Sequence, residues 1–118
     1  MQCSALVIDD EPLARKRMVS LLEPYSSEIE ILGEAGSGAQ AVKMIHEMLP
    51  DVVFLDIQMP DMDAFEVLHS LSADDVPLVV FTTAYDNFAL KAFDENTVDY
   101  LLKPVDPERL AVAIEKLR

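Results

Sequence analysis

ALVIDDEP, at residues 5–12, is the stretch that decides the fold of this chain. Four consecutive apolar residues run directly into three acidic ones and a proline, and comparable apolar runs recur at 52–55, 78–81 and 100–102. Continuous runs of mostly β-branched or aromatic residues are typical of strands buried on both faces, as in a parallel sheet covered by helices. The segment at 29–33 alternates in character and predicts an edge strand.

Segments with a helical spacing of apolar residues follow each predicted strand, so strand and helix alternate five times. The apolar residues that predict the five helices are, in order, Ala14, Met18, Leu21 and Leu22; Val42, Ile45 and Leu49; Ala64, Leu68 and Leu71; Ala89, Ala92 and Phe93; and Leu110, Ile114 and Leu117. In each unit a helix with short loops joins one strand to the next parallel strand, and this predicts right-handed crossovers. The sequence therefore predicts one α/β domain over residues 1–118, with a doubly wound, five-stranded parallel sheet and five helices.

Composition excludes several classes of protein. The chain carries 22 acidic against 9 basic side chains, a net charge of −13, and this argues against binding DNA through the domain itself. One cysteine, and two histidines without metal-ligand spacing, exclude an internal disulfide and a zinc module. Because the sequence has neither a membrane-length apolar stretch nor a signal peptide, we expect no membrane association and a cytoplasmic location.

Polar residues stand at the ends of four of the five predicted strands. Ligands of doubly wound sheets bind beyond these carboxyl ends, so the four strand ends are expected to form one site. The residues concerned are Asp9 and Asp10, Asp56, Thr83, and Lys103. Neighbouring carboxylates repel and raise one another's pKa, so the cluster needs a cation. An all-oxygen ligand set without His or Cys favours Mg²⁺.

This combination of groups suits phosphoryl transfer, in which positioning and charge neutralisation supply most of the catalysis. Asp56 is the candidate nucleophile because it stands alone after a buried strand, whereas Asp9 and Asp10 form a pair better placed to hold the ion. Taken singly, each residue also has a structural interpretation, such as a helix cap for Asp10, Glu11 or Thr83 and a surface lysine for Lys103. The sequence has no nucleotide-binding loop, so a nucleotide is not the expected phosphate donor.

The same residues resemble the receiver domain of two-component response regulators. The resemblance rests on VIDDEP at 7–12, FLDIQMP at 54–60, TTA at 82–84 and DYLLKP at 99–104, and it covers essentially the whole chain. The run AYDNFALKAF at 84–93, together with the DYLLKP segment, is similar in particular to receivers joined to LytTR-type DNA-binding domains.

The resemblance implies a flavodoxin-like sheet with strand order 2-1-3-4-5 and a phosphorylation site at its edge. Asp56 would accept a phosphoryl group from a sensor histidine kinase, in a receiver that catalyses its own phosphorylation and dephosphorylation. Mg²⁺ would be held by Asp10, Asp56 and the backbone carbonyl of Gln58, with Asp9 nearby.

The resemblance also implies a switch. Thr83 and Lys103 would bind the phosphoryl oxygens, Tyr100 would turn inward behind Thr83, and the peptide bond from Lys103 to Pro104 would be cis. This change would reshape the face made by the fourth helix, fifth strand and fifth helix. A DNA-binding output domain, which these 118 residues do not contain, would respond by regulating transcription.

Activation is expected to promote a homodimer through that face, because the region mixes aromatic residues with charges of both signs and a C2 interface is self-complementary. The residues are Asp86, Phe88, Lys91, Phe93, Asp94, Glu95, Asp99, Arg109, Glu115 and Lys116.

Three other functions remain open. A haloacid dehalogenase-type phosphatase also uses a carboxylate nucleophile and Mg²⁺, but it places Asp-x-Asp after one strand, whereas Ile57 and Gln58 follow Asp56 here. A pseudo-receiver would keep the fold and signal without phosphorylation. A flavodoxin-like cofactor binder would need a phosphate-binding loop after the first strand.

Overall fold

The computed structural model describes residues 2–85 and 96–118, and these form a five-stranded parallel sheet. The strands are β1 Cys3–Ile8, β2 Ile29–Ala35, β3 Val52–Asp56, β4 Leu78–Thr83 and β5 Thr97–Leu102. Their order is β2-β1-β3-β4-β5, which confirms the expected order and places β2 at an edge.

Four α-helices lie in the described residues, where the sequence predicted five for the whole chain. They are α1 Pro12–Leu22, α2 Gly38–Met48, α3 Ala64–His69 and α4 Pro107–Leu117, with short 3-10 turns at Glu23–Tyr25 and Ala73–Asp75. The predicted fourth helix, around Ala89, Ala92 and Phe93, lies outside the described residues. The helix labelled α4 here therefore corresponds to the fifth helix of the sequence prediction. Within the described part of the chain, no helix is long and apolar enough to cross a membrane.

The sheet separates two apolar layers because successive residues of a strand point to opposite faces. Leu6 and Leu55 face the layer that includes Ile45 of α2, whereas Val7 and Phe54 face the other one. That second layer contains residues of α1 and α4, namely Met18, Leu22, Leu110, Ala113 and Ile114. Covering on both sides explains why these strands are continuously apolar, and it fixes the strand ends on a rigid sheet edge.

Prolines begin the two helices on one face of the sheet. Pro12 is the first residue of α1 and Pro107 is the first residue of α4. Proline suits this position because the N–H that it lacks has no partner within the helix. The loops that carry the acidic and basic residues of the sheet edge therefore end at defined points.

Candidate functional site

Strand register brings Asp9 and Asp56 to the same level of the sheet edge. Ile8 of β1 lies opposite Leu55 of β3, so the two aspartates are the next residues along adjacent parallel strands. Both are buried, with 5% and 4% of their surface exposed. The backbone of Asp9 is held by Arg15, whose Nη1 donates to the Asp9 carbonyl oxygen at 2.7 Å.

Lys103 lies among the carboxylates, and its side chain is 15% exposed. Its Nζ atom is 2.8 Å from Oδ2 of Asp9, 3.3 Å from Oδ2 of Asp56 and 3.2 Å from Oε1 of Glu11. Burial lowers the pKa of Lys103, but the hydrogen bonds and charges of these carboxylates outweigh it, and the pKa lies above its usual value. The lysine is therefore the resting counter-cation of the site.

Asp56 holds its proton more tightly than an ordinary aspartate. Burial is the largest cause, the charge of Asp9 and a hydrogen bond with Asp10 add to it, and Lys103 opposes it. The net effect raises the pKa of Asp56 to about 7. Among the described residues, the ammonium group of Lys103 thus faces three carboxylates, which leaves the cluster short of positive charge.

The carboxylates fit a hard divalent cation. One oxygen each from Asp9, Glu11 and Asp56 lies within 4.8 Å of the other two. An all-oxygen, under-neutralised cluster has the donor chemistry that Mg²⁺ requires.

This group of three differs from the predicted ligand set. Asp9 and Asp56 are brought together as expected, whereas the third carboxylate is that of Glu11 and not that of Asp10. Asp10 is half-buried, and its carboxyl group contributes to the raised pKa of Asp56. The sequence interpretation treated Glu11 only as a possible helix cap. In the structure Glu11 is the N-cap residue of α1 but makes no capping hydrogen bond, and its side chain extends to Lys103.

Gln58 lies two residues beyond Asp56 and is exposed. It lines a cavity of about 370 Å³ whose other lining residues are Ile57, Met59, Pro60, Asp61, Met62, Asp63 and Glu66. The loop carrying Gln58 is fixed at its start, where the Ile57 N–H donates to the Thr82 carbonyl at 2.9 Å. The position of the Gln58 backbone therefore depends on how this loop is held.

Both predicted switch residues make hydrogen bonds to Tyr85. Thr83 is 1% exposed, and its hydroxyl oxygen accepts from the Tyr85 N–H at 3.2 Å. The half-buried Tyr100 donates its hydroxyl to the Tyr85 carbonyl. The backbone N–H of Lys103 donates to the Thr83 carbonyl at 2.7 Å, and the Lys103–Pro104 peptide is cis as the resemblance implied.

Comparison with known proteins supports a receiver. The family model of the response regulator receiver domain matches residues 5–115. An uncharacterized response regulatory protein of Vibrio cholerae is 51% identical over 114 residues, which are 97% of this chain and 48% of that protein. The transcriptional regulatory protein BtsR of Escherichia coli is 44% identical over 113 residues, 96% of this chain and 47% of BtsR. The chain thus spans about half the length of these curated relatives.

A solved structure agrees with the fold and adds a point about the output domain. A LuxR-family two-component response regulator from Aurantimonas sp. SI85-9A1 superposes with a TM-score of 0.85 at 28% identity, covering 99% of this chain and 85% of that one. The narrower resemblance to LytTR-type receivers is not supported by these comparisons, and the structural neighbours point to the LuxR type. Receivers share one fold whichever output domain they carry, so motifs within the receiver are a weak guide to that domain. On the family match and the relatives together, the chain belongs to the response regulator receiver domain family.

Proposed function

We propose that this chain is the phosphorylation switch of a two-component system, which accepts a phosphoryl group on Asp56 from a phosphohistidine of a sensor histidine kinase. The observation that carries the proposal is the contact of Lys103 Nζ with both Asp9 and Asp56, at 2.8 and 3.3 Å, at the end of a buried strand. This arrangement sets a carboxylate nucleophile beside a fixed positive charge.

The transfer forms one bond and breaks one. A carboxylate oxygen of Asp56 attacks the phosphorus, the phosphorus–nitrogen bond of the donor breaks, and the imidazole leaves and takes up a proton. Lys103 neutralises the charge of the phosphoryl oxygens, and the Thr83 hydroxyl donates to one of them. Lys103 is already desolvated beside Asp56, so it needs little reorganisation to do so.

Asp9, Glu11 and Asp56 are the carboxylates that support a Mg²⁺ site. Asp10 and the backbone carbonyl of Gln58 complete the ligand set proposed from the family resemblance. Bound Mg²⁺ would neutralise the carboxylates and the incoming phosphoryl group.

Signal output is proposed to begin at Thr83. Movement of its hydroxyl toward the phosphoryl group releases the Tyr85 N–H that it now accepts from. Tyr100, whose hydroxyl binds the carbonyl of Tyr85, then turns inward and changes the face that includes β5 and α4. We propose that a homodimer forms through this face.

The proposed output is control of transcription in the cytoplasm. BtsR bears the name of a transcriptional regulatory protein, and this chain spans 47% of its length. A net charge of −13 is unsuited to DNA, so binding would belong to a separate domain of the LuxR or LytTR type. A sequence-specific binding assay with the complete regulator, and the fold of its second domain, would separate the two types.

The direct test of phosphoryl acceptance is intact-mass measurement after incubation with acetyl phosphate and Mg²⁺. The parent chain should gain one phosphoryl group, whereas Asp56→Asn and a parent sample treated with a chelator should not. Equal labelling of Asp56→Asn and the parent would show that another residue accepts the phosphoryl group. An unlabelled parent would favour a pseudo-receiver.

A further inference from the structure

Asp61, in the loop after β3, binds the start of α2, which lies outside the candidate site. Asp61 accepts hydrogen bonds from the backbone N–H groups of Gly38 and Ala39, both at 2.9 Å. These residues are the first two of α2, whose initial N–H groups have no partner within the helix. Asp61 lies near the midpoint of the loop that carries Gln58, and it therefore ties this loop to the start of α2.

Gly38 and Met62 also pack closely against each other at this contact. A Cβ atom built on Gly38 would lie 2.5 Å from Cγ and 3.1 Å from Cβ of Met62, the residue after Asp61. These are atoms near the backbone of Met62, so a side chain at Gly38 would displace the loop itself. Glycine here permits the close approach that the two hydrogen bonds of Asp61 require.

The remaining fixed points of the loop lie at its ends. The Ala64 N–H donates to the Ile57 carbonyl at 2.8 Å, and Asp63 caps α3 through the Glu66 N–H at 2.9 Å. Gln58 lies between the fixed start of the loop and the tie made by Asp61. Loss of the tie would free the backbone of Gln58 while leaving both ends in place.

We infer that Asp61 is a positioning residue for the Mg²⁺ site, acting by holding the Gln58 backbone through its two hydrogen bonds to α2. The inference rests on the proposed function, because it takes the Gln58 carbonyl as a ligand. It assigns to Asp61 a role distinct from that of Asp63, which caps the helix that follows.

Ser37 supplies the matched control. Its hydroxyl caps the same helix by accepting from the Gln40 N–H at 3.1 Å, and the bond lies wholly within α2 and its cap. Ser37→Ala therefore weakens the start of α2 without cutting the tie to the loop. If Asp61 acted only as a helix cap, Asp61→Ala and Ser37→Ala would behave alike.

The experiment is a Mg²⁺ titration of the whole chain, monitored by the backbone amide shifts of residues 56–59 and 61, with thermal unfolding of each variant measured alongside. We expect Asp61→Ala and Gly38→Ala to weaken Mg²⁺ binding by about tenfold, the lower end of losses caused by removing residues that orient ligands. Asp61→Asn keeps one acceptor oxygen and should fall between Asp61→Ala and the parent. Ser37→Ala should bind Mg²⁺ as the parent does, even where its melting temperature falls as far as that of Asp61→Ala.

Equal Mg²⁺ affinities for Asp61→Ala and Ser37→Ala would overturn the inference, as would a parent that binds no Mg²⁺. A parent that binds Mg²⁺ but takes no phosphoryl group from acetyl phosphate contradicts the proposed function alone, and the titrations then still decide the role of Asp61.

Discussion

Arg109 of α4 forms a two-pronged ion pair with Asp99 of β5. Its Nη1 and Nη2 atoms donate to Oδ2 and Oδ1 of Asp99 at 2.8 and 2.6 Å, and Lys116 adds a contact at 3.3 Å. Asp99 is only 2% exposed. Both Asp99 and Arg109 were among the charges expected to pair across a dimer interface, and the structure pairs them within one chain. The pair joins β5 to α4.

Removing Arg109 should destabilise the fold in a pH-dependent way. Burial raises the pKa of Asp99, but hydrogen bonds from Arg109, the Tyr100 N–H and Lys116 outweigh it, so its pKa lies below the usual value. The stabilisation is therefore complete above the unfolded pKa of about 4 and is lost as the pH falls through the lower folded value. We expect Arg109→Ala to cost about 2 kcal/mol in urea unfolding at pH 7, since Asp99 would lose its main partner.

The control for this prediction is Lys116→Ala, which removes only the longer contact and should cost less. The difference in the free energy of unfolding between the parent and Arg109→Ala should become smaller below about pH 4. A gap of the same size at pH 3 and pH 7 would show that Arg109 contributes packing and no ion pair.

Asp56→Asn should stabilise the domain when divalent cations are removed. The pKa of Asp56 is raised to about 7, so the folded state binds this proton more tightly than the unfolded state does. The cost of the buried charge is complete above pH 7 and is relieved as the pH falls toward the unfolded value of about 4. Urea unfolding in chelator should therefore show a gain of about 2 kcal/mol at pH 8, and a smaller one at pH 5. Asp74→Asn, at an exposed position, should show no such trend. A gain in the stability of Asp56→Asn that does not change with pH would contradict the raised pKa of Asp56.

Lys103→Met should separate the structural role of the lysine from its role in transfer. The substitution leaves three carboxylates without their ammonium group and should cost about 3 kcal/mol in chelator at pH 8. Added Mg²⁺ should recover much of this loss, because a ligand that binds only the folded state stabilises it.

Labelling of Lys103→Met by acetyl phosphate should nevertheless stay reduced by about a hundredfold at saturating Mg²⁺. Lys116→Met, which removes a lysine of α4, should label normally. Full recovery of labelling by Mg²⁺ would mean that Lys103 serves only to balance charge in the resting site.

A phosphoryl mimic should promote a homodimer. Light scattering with beryllium fluoride and Mg²⁺ should show twice the monomer mass, and Val112→Glu should prevent this because Val112 is 49% exposed on α4. Leu49→Glu, at the end of α2, is the matched control and should dimerise. Six residues of the predicted interface lie outside the described residues, namely Asp86, Phe88, Lys91, Phe93, Asp94 and Glu95. A monomer in both states at high concentration would refute the dimer.

The sequence predicted the parts of this site that depend on strand ends. Asp56 ends β3, and Asp9 and Lys103 directly follow β1 and β5; the carboxyl ends of such parallel strands share one edge of the sheet. Glu11 was missed because the direction of its side chain depends on how α1 begins at Pro12. No short-range pattern reveals such a direction.

Contacts between separate elements were equally hidden. Asp61 and Gly38 are 23 positions apart, and their contact depends on how a loop packs against a helix. Asp99 and Arg109 are ten positions apart on a strand and a helix, so the charge pattern alone left both available for a partner. The sequence thus indicated which side chains carry charge, and the packing of loops and helices determined which charges meet.

The shortage of positive charge around Asp56 also has a consequence for how long the protein survives in a cell. Among the described residues, one ammonium group faces the carboxylates of Asp9, Glu11 and Asp56, so we expect the domain to be less stable without a divalent cation than with one. The unfolded fraction is the form that cellular proteases degrade, so a modest loss of stability lowers abundance several-fold. We expect the half-life of this receiver to lengthen with the free Mg²⁺ concentration, so that the ion proposed for the chemistry would also set how much protein is present to perform it.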